Sequence, residues 1–115
     1  MQIHYLEIVT NDVAAICKLY SQTHGVTFGE GDPNLGGART AKLKSGELLG
    51  VRAPMRETEE PVVRPYMLVP DIQAAVESAA AAGAEVALPP MEIKTHGICA
   101  IVIQGGNQIG FWQVA

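Results

Sequence analysis

The sequence predicts an α+β domain built from two copies of one module, each running strand, helix and then three strands. The prediction starts from an internal repeat, because Val9–Val13 is echoed by Leu68–Ile72, which aligns Asp12 with Asp71. After each Asp the apolar residues recur at helical spacing, and beyond each helix extended segments are joined by glycine-containing turns. A repeat of this kind indicates one supersecondary unit used twice.

The first module takes residues 1–52 and opens with an extended apolar stretch, Ile3–Val9. Asp12 stands where a carboxylate caps the free amides of a helix, and Gly25 stands where a left-handed residue ends one. The apolar stripe of the predicted helix is Val13, Ile16, Cys17 and Tyr20, and the predicted strands behind it are 38–44 and 46–51.

The second module takes residues 62–115 and repeats this order. Its helix is predicted to begin after Asp71 and to stop at Gly83, with the apolar stripe Ile72, Ala75, Val76 and Ala79. Strands are predicted at 98–104 and 106–111. Residues 53–61 combine proline and charge with little apolar content, so they are predicted to link the modules.

Two further segments are predicted to be loops. The Gly-rich segment 29–37 lacks the context and the lysine of a phosphate-binding loop, so we expect a mobile loop or a lid there. The Pro-rich stretch ahead of His96 is predicted to be a surface loop that could overhang a binding site.

Composition restricts the classes of function. A chain of 115 residues with 48% hydrophobic residues fits one globular domain. The net charge of −4 and the lack of a basic run argue against nucleic acid. Cys17 and Cys99 form no Cys-x-x-Cys motif, which indicates two reduced thiols. No leader pattern and no apolar run near the roughly 20 residues of a membrane helix occur, so we expect a cytoplasmic protein without a membrane partner.

Three stretches point to a known family: EIVTNDVAAICKLY opens the first copy, LVPDIQAAVESAAAAGAEV opens the second, and GGNQIGFWQ closes it. The chain resembles the glyoxalase, bleomycin-resistance and extradiol-dioxygenase group, the vicinal oxygen chelate superfamily. The resemblance implies two βαβββ modules that form a cup-shaped incomplete barrel. Its members include lyases, epimerases, dioxygenases, thiol transferases and drug-sequestering proteins, so the fold alone does not define the reaction.

The resemblance also locates the metal ligands of the family, on the first and last strands of each module. The corresponding positions here are Tyr5, Gly50, Arg64 and Gly110. A glycine has no donor atom in its side chain and an arginine repels a cation, so we expect no metal cofactor. Gly110 is interpreted as the place of a lost carboxylate. If it faces the cup, Gly110→Glu is expected to leave the fold intact; if it faces the helix layer, the buried carboxylate is expected to unfold the domain.

A shift of one residue in the first strand would change this assignment. Because strand side chains alternate between faces, the shift would turn His4 instead of Tyr5 into the cup. His4 and Glu7 are then the fallback metal ligands, and a divalent metal stays open as an alternative.

Residues two apart along a strand share a face, which extends the predicted ligand-binding surface of the cup. Aromatic rings, two arginines and the Glu7 carboxylate on one surface suit a small, partly apolar molecule with an anionic group. Glu7 and His96 are the candidate catalytic residues, as proton-transfer groups. The predicted ligand-binding residues are Tyr5, Leu48, Gly50, Arg52, Arg64, Tyr66, Gln108, Gly110 and Trp112.

Each of these residues also has a purely structural interpretation. Trp112 could pack in a core or an interface, and the tyrosines could serve strand packing. Arg52 and Arg64 could pair with Glu7 or with an acid of the linker. His96 could be an exposed loop residue.

Three functions remain open at this stage. The first is a metal-free protein that binds a small molecule in the cup. The second is a glyoxalase-like lyase, isomerase or dioxygenase acting on a small carbonyl or aromatic substrate. The third is an accessory dimerisation module whose cup is filled by its own side chains. Under all three we expect a homodimer, because two helices cannot cover the faces and edges of so many short strands.

Overall fold

The computed structural model describes residues 1–115, and it has the predicted element order. Each helix is preceded by one strand and followed by three, so the duplicated α+β architecture is confirmed. The helices are α1 (Val13–His24) and α2 (Ile72–Ala81). The strands are β1 (Ile3–Val9), β2 (Gly31–Asp32), β3 (Ala38–Lys42), β4 (Leu48–Arg52), β5 (Val62–Leu68), β6 (Glu85–Ile93), β7 (Gly97–Gln104) and β8 (Asn107–Gln113).

Two compact units make up the chain. The N-terminal unit is Tyr5–Val63, and the C-terminal unit is Arg64–Ala115 together with Met1–His4. The first residues join the C-terminal unit through contacts such as the bond from the Leu68 amide to the Gln2 carbonyl, 2.8 Å. Neither helix is long and apolar enough to cross a membrane.

The N-terminal unit places its strands in the order β2, β3, β4, β1. β1 and β4 run parallel, with Tyr5 opposite Leu48 and Glu7 opposite Gly50. α1 covers one face of this sheet, because its apolar stripe packs on alternate strand residues. The buried cluster there is Ile8, Cys17, Leu49 and Val51.

The ends of both helices follow from their capping residues. Asp12 accepts a hydrogen bond from the Ala15 amide at 3.0 Å, and Asp71 caps α2 in the same way through the Ala74 amide. Gly25 ends α1 in the left-handed conformation, at φ +69°, where a glycine has no Cβ to clash. The end of α2 differs from the prediction by one residue, since Ala82 is the cap and Gly83 follows it.

The C-terminal unit places its strands in the order β5, β8, β7, β6. α2 packs on this sheet around Ile72, Val76 and Ala100. The predicted Pro-rich loop ahead of His96 is wrong, because β6 runs through Pro89 and Pro90 to Ile93. β6 is an edge strand with register shifts, and prolines are tolerated there because an edge leaves some amides without a ladder partner.

The Gly-rich segment between α1 and β3 also differs from its prediction. It contains β2 and a short 3-10 helix, Pro33–Leu35, in place of a mobile loop. Asp32 begins the 3-10 helix, and its carbonyl accepts the Gly37 amide at 2.9 Å. The segment is therefore folded against its own strand pair, with Leu35 buried.

Candidate functional site

Alternate residues of β1 point to opposite faces of the N-terminal sheet. Leu6 and Ile8 pack with the core cluster under α1, so Tyr5 and Glu7 lie on the other face. Tyr5 contacts Gly50 there, and Glu7 contacts Arg52. The structure thus has the register in which Tyr5 and Glu7 lie on the face of β1 opposite α1.

Two glycines of the predicted site are covered by tyrosines of the neighbouring strand. A Cβ built on Gly50 would overlap the Tyr5 hydroxyl and lie 2.7 Å from its Cε1 atom. A Cβ built on Gly110 would lie 2.6 Å from the Tyr66 Cγ atom and 2.9 Å from the Pro65 carbonyl oxygen. Real Cβ atoms essentially never come that close, so a side chain at either position would have to displace the tyrosine, and at Gly110 it would also meet backbone.

The expectation that Gly110 faces an emptied space is therefore wrong. The Tyr66 ring fills the place where a ligating side chain would stand, and Tyr66 is itself only 5% exposed. The space that the side chain of Gly110→Glu was expected to enter is thus taken by this ring. Because strand neighbours are adjacent in space and not in sequence, the pattern around Gly110 carried no sign of this ring.

Arg52 lies at the centre of a buried ion-pair network in the N-terminal unit. Its Nε donates to Glu7 at 2.8 Å, while its two terminal nitrogens donate to both oxygens of Glu59, at 2.8 and 2.7 Å. The Arg52 side chain is 3% exposed. Glu59 belongs to the predicted linker. Arg52 therefore forms ion pairs both with Glu7 and with an acid of the linker, as its structural interpretation predicted.

The same network holds the linker in place. Glu59 also accepts the Met55 amide at 2.7 Å, and Arg52 donates to the Ala53 carbonyl at 3.2 Å. The Met55 sulfur and the Arg52 Cδ atom both lie against Gly36, at 3.1 Å from an ideal Cβ there. Residues 53–61 thus form a strap across Arg52, fixed by charge-assisted hydrogen bonds.

These charges shift the pKa values of their neighbours. The Glu59 carboxylate, and then Glu7, raise the pKa of Arg52 against the opposing effect of burial. Burial first, and then the Glu7 carboxylate, raise the pKa of the Tyr5 phenol. Arg52 therefore stays charged and Tyr5 stays neutral across the physiological range.

Arg64 has different partners in the C-terminal unit. Its Nε donates to the Gln108 side-chain oxygen at 2.8 Å, and one terminal nitrogen lies 3.5 Å from the Tyr66 hydroxyl. Arg64 is 7% exposed, whereas Gln108 is exposed. The Arg64 guanidinium is thus aligned by an amide that solvent can reach.

Trp112 is buried in a ring cluster. Its centroid lies 5.4 Å from that of Tyr66, edge to face, and 5.8 Å from that of His4. The indole N–H donates to the His96 carbonyl at 2.9 Å. Burial, and then the nearby His96, lower the pKa of His4. Packing of Trp112 in a core is what the structure shows.

The other predicted residues fall in less enclosed positions. Leu48 is half-buried on β4, and His96 is half-buried in the turn between β6 and β7. Glu7 is held by Arg52 as described. No three His, Cys, Asp or Glu side chains come together in a metal-binding group, so His4 and Glu7 form no such set.

Comparison with known proteins gives relatives by sequence and by structure. No family model matches the chain. It is 26% identical over 116 aligned residues to "Putative glyoxylase CFP32" of Mycobacterium bovis and of Mycobacterium tuberculosis, which covers 96% of this chain. The chain spans less than half, 44%, of the length of those relatives.

Solved structures confirm the fold. Methylmalonyl-CoA epimerase of M. tuberculosis superposes with a TM-score of 0.74 at 17% identity, covering 98% of this chain and 87% of the epimerase. The Streptomyces coelicolor epimerase in complex with 2-nitronate-propionyl-CoA gives 0.73 at 17% identity, covering 100% and 95%. A hypothetical protein of Bacillus halodurans gives 0.76 at 12% identity, covering 99% and 94%.

The class of protein follows from these findings together with the element order. The chain has the glyoxalase-like fold, and its resemblance to the vicinal oxygen chelate superfamily is confirmed.

Proposed function

We propose that this protein is a metal-independent member of the glyoxalase-like group that binds a small, partly apolar, anionic molecule. One observation carries the proposal. At the positions equivalent to the family's metal ligands the chain has Tyr5, Gly50, Arg64 and Gly110, and the two glycines are used to pack tyrosines. No carboxylate, imidazole or thiolate stands at any of the four, so a divalent cation would lack its ordinary donors there.

The anionic part of the ligand is assigned to Arg64. A guanidinium binds a carboxylate or a phosphate through two parallel N–H groups, and Gln108 already orients one edge of this one. Since Gln108 is neutral and exposed, an incoming anion can take its place at low cost. Tyr66 and Trp112 then supply the aromatic surface beside the charge.

Trp112 provides the measurement, because it is the only tryptophan of the chain and contacts Tyr66. Fluorescence is followed while benzoate and propionyl-CoA, the second chosen for the epimerase neighbours, are added to the protein. We expect saturable binding of at least one of them. Arg64→Gln should weaken it about tenfold, or about 1.4 kcal/mol.

Arg56→Gln is the matched control, because Arg56 is an exposed arginine of the strap. It should bind the same compound with the parental affinity. Equal weakening by both substitutions would show only general charge attraction and would contradict the assignment to Arg64. Metal analysis of the same protein should find well under one equivalent of Zn, Ni, Mn or Fe, and a retained stoichiometric metal would overturn the metal-free part.

Two alternatives have an observation of their own. A glyoxalase-like lyase, isomerase or dioxygenase is favoured by two histidines beside Trp112, since the His4 ring lies 5.8 Å from the indole and the backbone carbonyl of the candidate catalytic residue His96 accepts the indole N–H. An accessory dimerisation module is favoured by the burial of Tyr5, Arg52 and Trp112, each 2–3% exposed. If no added compound changes the Trp112 fluorescence, the accessory dimerisation function would be supported.

We also propose that the protein forms a homodimer. The exposed edges are the two-residue β2 in one unit and the bulged β6 in the other, and Met91 and Val86 of β6 are exposed apolar residues. Light scattering after size exclusion should give about twice the chain mass of 12.2 kDa. A monomer at micromolar concentration would contradict this.

A further inference from the structure

Arg64 and Gln108 belong to a row of residues that crosses the sheet of the C-terminal unit. In an antiparallel pair, directly opposed residues lie on the same face of the sheet. The register of β7 with β8 sets Ile103 opposite Gln108, and that of β6 with β7 sets Glu85 opposite Ile103. Arg64 joins the row from β5 through its bond to the Gln108 side chain. Four neighbouring strands thus contribute one residue each, in the order Arg64, Gln108, Ile103 and Glu85.

This row lies on the face of the sheet that α2 does not cover. Ile98 and Ala100 of β7 pack in the cluster around α2. Because strand side chains alternate between faces, Ile101 and Ile103 of the same strand point the other way. The surface that continues from Arg64 across the sheet is therefore aliphatic where it crosses β7.

Access from solvent differs between the two halves of this face. Tyr66 and Trp112, on the side of β5 and β8, are only 5% and 3% exposed. Ile101 and Ile103 are half-buried, and so is Leu88, which lies opposite Ile101 on β6. A molecule that replaces Gln108 at Arg64 therefore meets aliphatic side chains that are still partly in water. Covering them removes apolar surface from water.

The two ends of the row carry opposite charges. Arg64 is cationic at one end, Glu85 is an exposed acid at the other, and the residues between them are neutral. Three strand spacings separate the two backbone positions by about 14 Å. Glu92, the other acid of β6, lies opposite Ile98 and so belongs to the face of α2. One anionic group is therefore attracted at Arg64, and a second one further along the row would meet Glu85.

We propose that the molecule bound at Arg64 is a short aliphatic monocarboxylate, an inference that rests on the function proposed above. Its carboxylate pairs with the guanidinium, and its hydrocarbon chain crosses Ile103 towards β6. Glu85 disfavours a second anionic group at the far end of the chain. Ile103 and Glu85 are thus the residues that determine specificity, one through apolar contact and the other through charge.

The test compares butyrate, hexanoate and adipate by calorimetric titration at low ionic strength. Hexanoate should bind about three- to tenfold tighter than butyrate, because its two additional methylene groups leave water. Adipate has the same number of carbons as hexanoate but a second carboxylate, so it should bind about tenfold more weakly than hexanoate. In protein with labelled isoleucine methyl groups, hexanoate should shift the NMR signal of Ile103.

Two variants with matched controls separate the apolar contact from the charge. Ile103→Thr should remove most of the advantage of hexanoate over butyrate. Its control is Val63→Thr, an exposed strand residue that alternates with Arg64 and so faces the other way. Glu85→Gln should raise the adipate affinity about two- to threefold and leave hexanoate unchanged. Glu92→Gln, on the face of α2, should leave both affinities at the parental values.

Arg64→Gln distinguishes a failure of this inference from a failure of the proposed function. If it weakens all three probes while Ile103→Thr changes none, the chain does not cross Ile103, and only the inference is wrong. If Arg64→Gln leaves all three affinities unchanged, the proposed function fails as well. Adipate bound as tightly as hexanoate by the parent would contradict the role of Glu85. No binding of any probe at millimolar concentration would overturn the inference, and the function too if propionyl-CoA and benzoate also fail to bind.

Discussion

Each unit packs a tyrosine over a glycine, but the two units surround their arginines differently. In the N-terminal unit Tyr5 covers Gly50, and Arg52 beside them is clamped by Glu7 and Glu59. In the C-terminal unit Tyr66 covers Gly110, and Arg64 donates to the neutral side chains of Gln108 and Tyr66.

The two copies of the module therefore use their buried arginines differently. Three ionised groups at Arg52 satisfy one another and fasten the strap, 53–61, to the sheet. Such a network is costly to break, because each charge left alone would be buried. The arrangement at Arg64 contains a neutral, exposed amide that a ligand can replace. Under the function proposed above, Arg52 serves stability and Arg64 serves binding.

The largest effect is expected from a charge placed under a tyrosine. Gly110→Glu would force the Tyr66 ring aside, meet the Pro65 carbonyl and bury a carboxylate, so the variant should be unfolded or insoluble. Thermal melting and expression in the soluble fraction measure this. Gly29→Glu is the control, because a Cβ at Gly29 meets only the Thr40 carbonyl at 3.8 Å. A soluble Gly110→Glu with the parental melting temperature would refute the close packing.

The two arginines provide the next test. Arg52→Met should lower the free energy of unfolding by about 3–5 kcal/mol, since it leaves two carboxylates without their cation. Arg64→Met should cost only about 1–2 kcal/mol, because water can replace the bond to Gln108. Urea denaturation of both variants measures the difference. Equal costs would remove the contrast between a structural and a binding arginine.

Double-mutant cycles should distinguish the stability costs of alanine at the two glycines. Gly50→Ala and Gly110→Ala should each cost about 1–3 kcal/mol by overpacking. With Tyr5→Ala added, most of the Gly50 cost should disappear, because the three atoms nearest to a Cβ there all belong to the Tyr5 side chain. With Tyr66→Ala added, part of the Gly110 cost should remain, because the Pro65 carbonyl is backbone. Additive costs in both cycles would contradict the tyrosine contacts.

The smallest effect on stability is expected from pH, through His4 in the ring cluster of the C-terminal unit. The pKa of His4 is lowered from 6.5 in the folded protein, so below about that pH the unfolded chain binds a proton more readily. Stability should therefore be intact above pH 6.5 and decline as the pH falls through the lower folded pKa. His4→Gln should flatten this decline between pH 7 and pH 5 in thermal melts.

The control for this experiment is His24→Gln in the N-terminal unit. His24 is exposed and stacks on Tyr20, so its replacement should leave the acid-side decline in place. If His4→Gln kept the full decline, the loss of stability at low pH would have to come from other groups.

Local patterns were sufficient for the elements of this fold. Asp12 with Gly25 and Asp71 with its apolar stripe predicted both helices to within a residue or two, because capping and helical periodicity act over a few neighbours. β1 covers the extended apolar stretch, Ile3–Val9, with which the first module opens. The prolines of β6 misled the prediction, since only the position of the strand at the sheet edge makes them acceptable.

By itself, the sequence determined the duplicated order of elements and which residues stand at Tyr5, Gly50, Arg64 and Gly110, but it left the register of β1 open between Tyr5 and His4. The tertiary structure alone decided what surrounds those positions. Tyr66 over Gly110, Glu59 on Arg52 and His4 beside Trp112 join residues far apart in the chain. Their contacts depend on which strands become neighbours and on the rotamers that close packing selects, and neither is encoded in a short pattern.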